Sequence, residues 1–125
     1  MDRIKVLLID DEEEFCRVLK LSLEQMRKFD VLTASRGDAG LDLAKSRKPD
    51  IILLDIVMPG MSGTEVAEQL REDSETCQIP IIFLTAVLQK GEEGGFGGST
   101  SKYRIIAKPV KVDELIRQIK DAVTA

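Results

Sequence analysis

The sequence has no histidine, no tryptophan and only two cysteines, Cys16 and Cys77. A structural zinc site takes four ligands from cysteine and histidine, so the sequence excludes such a site. The lack of histidine also excludes catalytic pairs of histidine with serine or cysteine. Two cysteines without metal-ligand spacing are typical of small buried or half-buried thiols in a reducing cytosol.

Long hydrophobic runs and a surplus of basic residues are missing as well. No apolar run approaches the length of a membrane span, and the first residues do not resemble a signal peptide, so we expect a cytoplasmic protein without membrane contact. The net charge is −4, and phosphate backbones select basic surfaces, so we expect no direct nucleic-acid partner. The 125 residues, 43% of them hydrophobic, fit one domain with a real core.

Short apolar segments alternate with helical patterns along the chain. The predicted strands are Ile4–Ile9, Val31–Ala34, Ile51–Leu54, Ile81–Leu84 and Arg104–Ala107. Helical periodicity covers Glu12–Met26, with Val18 and Met26 among its inward positions, and then Gly37–Arg47, Thr64–Glu72 and about Val112–Val123. Apolar strands that alternate with helices indicate an α/β fold, in which right-handed crossovers give a doubly wound parallel sheet covered on both faces.

Polar residues follow the carboxyl ends of four predicted strands. Asp10 and Asp11 follow the first strand, Asp55 the third, Thr85 the fourth and Lys108 the fifth. Parallel strands bring these ends to one edge of the sheet, where ligands bind near the point at which the strand order reverses. Each residue alone is ordinary in a turn or a helix cap, but chance placement of the whole set is improbable.

Three crowded carboxylates repel one another and stay ionised when a cation lies among them. Oxygen ligands without histidine or cysteine suit a hard ion, Mg²⁺ or Mn²⁺. A hydroxyl and an ammonium group at the same edge would hold phosphate oxygens. Because an aspartate can attack phosphorus to form an aspartyl phosphate, the set indicates phosphoryl transfer to a carboxylate.

The pattern resembles the receiver domain of two-component response regulators, and in size the single-domain chemotaxis regulator. Four blocks carry the resemblance: Leu8-Ile9-Asp10-Asp11, Asp55 with Met58-Pro59-Gly60-Met61-Ser62-Gly63, Pro80 through Leu84-Thr85-Ala86, and Lys108-Pro109. The resemblance spans essentially the whole chain and implies one receiver domain, residues 1–125. It also implies a flavodoxin-like five-stranded sheet in the order 2-1-3-4-5, with helices on both faces.

The resemblance assigns a role to each residue of the metal site. Asp55 would be the phosphoacceptor. Asp11 and Asp55 would ligate Mg²⁺ directly together with the backbone carbonyl of Val57, and Asp10 would act mainly through a metal-bound water. Thr85 would be the switch hydroxyl that moves toward the phosphoryl group.

The resemblance further implies that Lys108 pairs with a phosphoryl oxygen and precedes a cis bond to Pro109. Because the chain has no histidine, the phosphoryl donor would be another molecule, a histidine kinase or a histidine phosphotransfer protein. The chain would catalyse only its own phosphorylation and dephosphorylation and would pass the signal to a downstream protein that the sequence does not name.

The sequence departs from the family pattern at its aromatic switch. Receivers usually carry Tyr or Phe three residues before the Lys-Pro lysine, where this chain has Ile105. Tyr103 would point to the same face of a strand and is a possible substitute.

Two further positions, Val57 and Val87, flank the phosphoryl group in the resemblance. Neither side chain can orient a water molecule, so we predict a long-lived phosphorylated state.

The second departure is the segment Gly91–Gly98, in which five of eight residues are glycine. Each glycine within a helix costs about 1 kcal/mol relative to alanine, so we expect the family's fourth helix to be lost or disordered. One hypothesis is that residues 89–101 form a mobile loop and that the domain signals through another surface or orders the loop on binding. The alternative is a lost helix without functional gain.

Two other functions compete with the phosphorylation switch. A degenerate receiver that acts as a phosphorylation-independent interaction module is mildly favoured by Ile105 and the missing helix, but the intact acidic set argues against it. A phosphatase of the haloacid dehalogenase type would need a second aspartate two residues after the nucleophile, where this chain has Val57, and an inserted cap region.

Overall fold

Five strands and four helices make up the part of the chain that a computed structural model describes, residues 3–86 and 103–124. The strands are β1 (Ile4–Ile9), β2 (Phe29–Ala34), β3 (Ile51–Asp55), β4 (Ile81–Thr85) and β5 (Arg104–Ala107). The helices are α1 (Glu13–Glu24), α2 (Gly37–Arg47), α3 (Gly63–Glu72) and α4 (Val112–Thr124). The predictions for the glycine-rich segment and for Val87 lie outside the described residues.

The strands form one parallel sheet in the order β2-β1-β3-β4-β5. Strand β2 lies on one side of β1, and β3 lies on the other side. The strand order therefore reverses between β1 and β3, and the carboxyl ends of these two strands border the crevice where such sheets bind ligands. In the register of the sheet, Ile9 lies opposite Leu54 and Thr85 opposite Ala107. The predicted fold class and strand order are confirmed.

Both faces of the sheet are covered, because alternate side chains of each strand enter different cores. Leu7 and Ile9 belong to a cluster that α2 and α3 cover, whereas Val6 and Leu8 belong to a second cluster beneath α1 and α4. All four of these side chains are fully buried. The near-continuous apolar runs in the sequence follow from this burial on two sides.

The buried face of helix α1 differs from the predicted one at two positions. Cys16, Leu19 and Leu23 are buried, whereas Val18 and Met26 are about half exposed. The helix ends at Glu24, so Met26 lies beyond the periodic segment. The buried face of α1 is therefore narrower than the sequence pattern suggested.

Strand β2 begins at Phe29, two residues earlier than predicted. Phe29 is fully buried. Asp30 is disfavoured in strands by its propensity, but it points to solvent, where its carboxylate lies 3.0 Å from the guanidinium of Arg3. The charged residue is thus accommodated at an exposed position of an edge strand.

Helix α3 begins at Gly63 because Ser62 caps it. The Ser62 hydroxyl accepts a hydrogen bond from the backbone N–H of Glu65 (3.2 Å), and the Glu65 carboxylate accepts one from the backbone N–H of Ser62 (2.9 Å). This reciprocal capping box satisfies two backbone donors at the helix start. The same loop fixes the approach of α3 to the end of β3.

None of the helices in residues 3–86 and 103–124 combines the length and apolar character needed to cross a membrane.

Candidate functional site

The sheet brings the sequence-predicted acidic residues together at one edge. Asp10 follows β1 and Asp55 ends β3, and carboxylate oxygens of Asp10, Asp11 and Asp55 lie within 4.8 Å of one another. Thr85 ends β4, and its carbonyl accepts a hydrogen bond from the backbone N–H of Lys108 (2.8 Å). This last bond places the start of the Lys108 side chain beside β4.

Two of the three carboxylates are withdrawn from solvent. Asp10 is 0% exposed and Asp55 is 6% exposed, whereas Asp11 is only partly buried. Buried carboxylates need compensating partners because the low-dielectric interior disfavours their charge. The Oδ1 atom of Asp10 accepts a hydrogen bond from the backbone N–H of Glu12 (2.9 Å). Its Oδ2 atom is buried and accepts no hydrogen bond from any described residue, although the Lys108 ammonium lies 2.7 Å away as an ion-pair partner.

The surroundings of Asp55 raise the pKa of its carboxyl group to a value below neutral pH. Burial raises the pKa of its carboxyl group from 3.8 to about 6, and the charges of Asp10 and Asp11 add to this effect. The ammonium of Lys108 and the backbone N–H of Val57, which donates to the carboxylate, act in the opposite direction. Asp55 is therefore mostly ionised at pH 7, as a nucleophile or metal ligand must be.

Lys108 supplies the positive charge of the site. Its Nζ atom lies 2.7 Å from Asp10 Oδ2 and 2.7 Å from Glu12 Oε1, and 4.4 Å from the ring centroid of Phe15. Burial acts to lower the pKa of this ammonium, but its contacts with Asp10 and Glu12 and the charge of Asp55 together raise the pKa above its usual value. The bond to Pro109 is cis, as the resemblance implied.

Cys16 lies directly behind the acidic cluster. Its thiol donates a hydrogen bond to the backbone carbonyl of Asp10 (3.3 Å). Burial, followed by the charge of Asp10, raises the pKa of the thiol to about 12, so it stays protonated. Both cysteines are free, Cys16 buried and Cys77 half-buried, as the sequence indicated.

Sequence reasoning assigned no role in the site to two residues of this edge. Glu12 meets Lys108 across 96 positions of sequence, and only the fold brings that partner close. Gly63 donates its backbone N–H to the carbonyl of Ile56 (2.7 Å) and approaches the end of β3 closely. A signal for Gly63 was present in the pattern Ser62-x-x-Glu65, which marks the helix start beside it.

Val57 borders the site with an exposed side chain, 61% accessible to solvent. Its backbone N–H contacts Asp55, as described above. The direct metal ligation predicted for its carbonyl oxygen stays a prediction.

Tyr103 lies at the other end of β5 from the acidic cluster. Its ring meets Phe83 edge-on with centroids 5.1 Å apart, and the guanidinium of Arg71 lies 5.5 Å from the ring centroid. Tyr103 and Ile105 pack against the same core cluster, so the predicted shared face is confirmed. However, Tyr103 precedes Ala107, the partner of Thr85, by four positions, or about 13 Å of strand.

The profile of the response regulator receiver domain family matches residues 6–120, which is most of the chain. The chain belongs to this family. The match includes the five site residues Asp10, Asp11, Asp55, Thr85 and Lys108. It also includes all five strands except the first two residues of β1.

Similar known proteins include some of about the length of this chain and some about twice as long. Protein PilH of Pseudomonas aeruginosa is 35% identical over 92% of this chain and 93% of its own length. The phosphate regulon transcriptional regulatory protein PhoB of Rhizobium meliloti is 36% identical over 93% of this chain, which spans only 50% of that protein. Among solved structures, the Vibrio cholerae chemotaxis protein CheY4 is 27% identical with a TM-score of 0.84, covering 96% of this chain and 98% of that one.

Proposed function

We propose that this receiver domain is a phosphorylation switch that accepts a phosphoryl group on Asp55 with the help of Mg²⁺ or Mn²⁺. The observation that carries the proposal is the grouping of three carboxylates with Lys108 at the edge where β4 places Thr85. Membership in the receiver family supports the same chemistry. The intact set of Asp10, Asp11, Asp55, Thr85 and Lys108 argues against a phosphorylation-independent binding module.

The acidic cluster fits a hard divalent cation. Asp10, Asp11 and Asp55 offer oxygen ligands within 4.8 Å of one another, and Mg²⁺ is bound in proteins by one or two carboxylates and several waters. Apart from the ion pair with the Lys108 ammonium at 2.7 Å, the buried Oδ2 of Asp10 has no hydrogen-bond donor among the described residues, and a metal-bound water would supply a second partner. We assign direct ligation to Asp11, Asp55 and the Val57 carbonyl. When bound, the ion would neutralise charge on the carboxylates and on the transferring phosphoryl group.

Asp55, Lys108 and Thr85 each have a separate role in the proposed phosphoryl transfer. A carboxylate oxygen of Asp55 forms a bond to phosphorus while the bond between phosphorus and the donor's leaving atom breaks, and the leaving atom keeps the electron pair. Lys108 pairs with a phosphoryl oxygen, and the hydroxyl of Thr85 donates a hydrogen bond to another. The added negative charge then biases the loops at this edge toward a second arrangement.

The phosphoryl donor in the proposed function is a histidine kinase or a histidine phosphotransfer protein. The donor histidine lies outside this sequence, which contains none. The proposed role is therefore a step of a two-component or phosphorelay system in the cytoplasm, with self-phosphorylation and self-dephosphorylation as the only reactions that the chain catalyses.

Intact-mass measurement after incubation with acetyl phosphate and Mg²⁺ tests the proposal. We expect one phosphoryl adduct on the wild type and none on Asp55→Asn, with loss of the wild-type adduct when Mg²⁺ is replaced by chelator. Asp42→Asn is the matched control, because Asp42 is exposed on α2 away from the cluster, and it should be phosphorylated normally. An unmodified wild type would refute the switch and favour the phosphorylation-independent module.

A further inference from the structure

Glu12 occupies the N-cap position of α1 but does not cap the helix. An N-cap side chain normally accepts a hydrogen bond from a backbone N–H of the first turn. Glu12 makes no such bond, and its carboxylate instead accepts a hydrogen bond from the Lys108 ammonium at 2.7 Å. Glutamate is not among the preferred N-cap residues, so its side chain is available for this contact with a residue of the candidate site.

The Lys108 ammonium is held from several sides. Asp10 and Glu12 each approach it at 2.7 Å, and the ring of Phe15 lies under it at a distance that permits a cation–π interaction. The side chain of Lys108 is only 10% exposed, whereas that of Glu12 is 62% exposed. Glu12 therefore closes the solvent side of the ammonium's surroundings.

The backbone of Glu12 is fixed by the site as well. Its N–H donates to Asp10 Oδ1 at 2.9 Å, and its carbonyl accepts the first bond of α1 from Cys16 at 3.0 Å. The carboxylate thus reaches Lys108 from an anchored backbone, which lowers the entropy cost of the contact.

We propose that Glu12 is a positioning residue that holds Lys108 in the unphosphorylated domain and competes with the phosphoryl group for its ammonium. The competition rests on the proposed function, because it needs a phosphoryl group on Asp55. In this proposal a phosphoryl group at Asp55 offers Lys108 a more highly charged anionic partner, and Lys108 loosens its contact with Glu12 to meet it. Without the Glu12 charge, the phosphoryl group has one fewer competitor for the Lys108 ammonium. The equilibrium therefore shifts toward the arrangement in which Lys108 pairs with the phosphoryl group.

Binding of beryllium fluoride, an inorganic mimic of the phosphoryl group, measures this competition at saturating Mg²⁺ by calorimetry. Glu12→Gln should bind the mimic about threefold more tightly than the wild type, the size expected for one partly exposed ion pair. Glu12→Asp keeps the charge but is one methylene shorter, so its affinity should fall between the two. Glu13→Gln removes the same charge from the adjacent exposed residue and should leave the affinity unchanged.

A double-mutant cycle without metal measures the Glu12–Lys108 contact itself. In chelator, Glu12→Gln should lower the urea midpoint of the wild type but have a much smaller effect in the Lys108→Met background. An equal effect in both backgrounds would refute the contact.

Equal or weaker binding of the mimic by Glu12→Gln would refute the competition. This binding experiment does not require a Lys108 variant that folds. Failure of the wild type to bind the mimic would instead refute the proposed function, and the cycle would still decide whether Glu12 holds Lys108.

Discussion

The backbone carbonyl oxygen of Asp55 occupies the space that a side chain at Gly63 would require. A Cβ atom at Gly63 would lie 2.1 Å from this oxygen and 2.8 Å from the Cα atom of Ile56. These are backbone atoms of the strand end that presents Asp55, so they cannot move aside as a flexible side chain does. The close approach of α3 to β3 therefore depends on glycine at position 63.

Gly63→Ala should destabilise the domain by about 3 kcal/mol, the upper end of the usual cost of overpacking, because a Cβ against backbone forces a shift of β3 or α3. Urea unfolding measures the loss. Gly60→Ala is the matched control: Gly60 has a left-handed φ of +81° and nothing within 4 Å of an added Cβ, so it should lose only about 1 to 2 kcal/mol. Equal losses for the two variants would contradict the steric argument.

The sheet and the acidic cluster were predictable because their signals are local. Runs such as Ile51–Leu54 are apolar because both faces of the strand are buried, and the first polar residue after each run marks the strand end. Since parallel strands share an edge, the positions of Asp10 and Asp55 in the sequence were enough to predict that their carboxylates meet.

The contacts that sequence reasoning missed depend on residues far apart in the chain. Glu12 has an ordinary acidic context at a helix start, and its partner Lys108 becomes visible only in the fold. The exposed positions of α1 were also missed, since periodicity gives the direction of a helical face but not its width. Val18 continues the apolar pattern although the sheet leaves it about half exposed.

Asp55→Asn should stabilise the metal-free domain at pH 7. The pKa of Asp55 is raised from 3.8 to about 6, so between these values the folded state keeps a proton that the unfolded state has lost. Stability from this group therefore falls as pH rises through that window, and the deficit at neutral pH is about 2 to 3 kcal/mol. Asparagine carries no charge and removes this deficit.

Urea unfolding in chelator at several pH values measures the difference between Asp55→Asn and the wild type. The advantage of the variant should be full above about pH 6 and should disappear below about pH 4, where Asp55 is protonated in both states. Asp42→Asn, at an exposed position of α2, should show no comparable advantage. A constant advantage across the pH range would show that charge repulsion is not its cause.

Mg²⁺ should stabilise the wild type by mass action, by about 1.4 kcal/mol when its concentration is tenfold above the dissociation constant. Thermal unfolding with and without the ion measures this gain. Asp11→Asn should lose most of it, because Asp11 supplies one of the three clustered carboxylates, whereas Asp42→Asn should retain it. A gain that survives in Asp11→Asn would place the ion elsewhere on the protein.

Tyr103 should stay in place when the site is occupied by the phosphoryl mimic. It lies about 13 Å along the strand from the level of Thr85, and Phe83 and Arg71 both contact its ring. The chain has one tyrosine and no tryptophan, so its intrinsic emission reports on this residue alone. We expect emission unchanged within error on adding beryllium fluoride and Mg²⁺, whereas Arg71→Ala should change it. A change caused by the mimic would support Tyr103 as the substitute for the aromatic switch missing at Ile105.

Val57→Asn should shorten the lifetime of the phosphorylated state several-fold. The Val57 side chain is exposed beside Asp55 and cannot orient a water molecule, whereas a carboxamide there would hold one near the phosphorus atom. Loss of the phosphoryl adduct over time, followed by intact mass, gives the rate. Val18→Asn introduces the same group at an exposed site on α1 and should leave the rate unchanged. If Val57→Asn hydrolyses at the wild-type rate, the apolar character of this position does not protect the aspartyl phosphate.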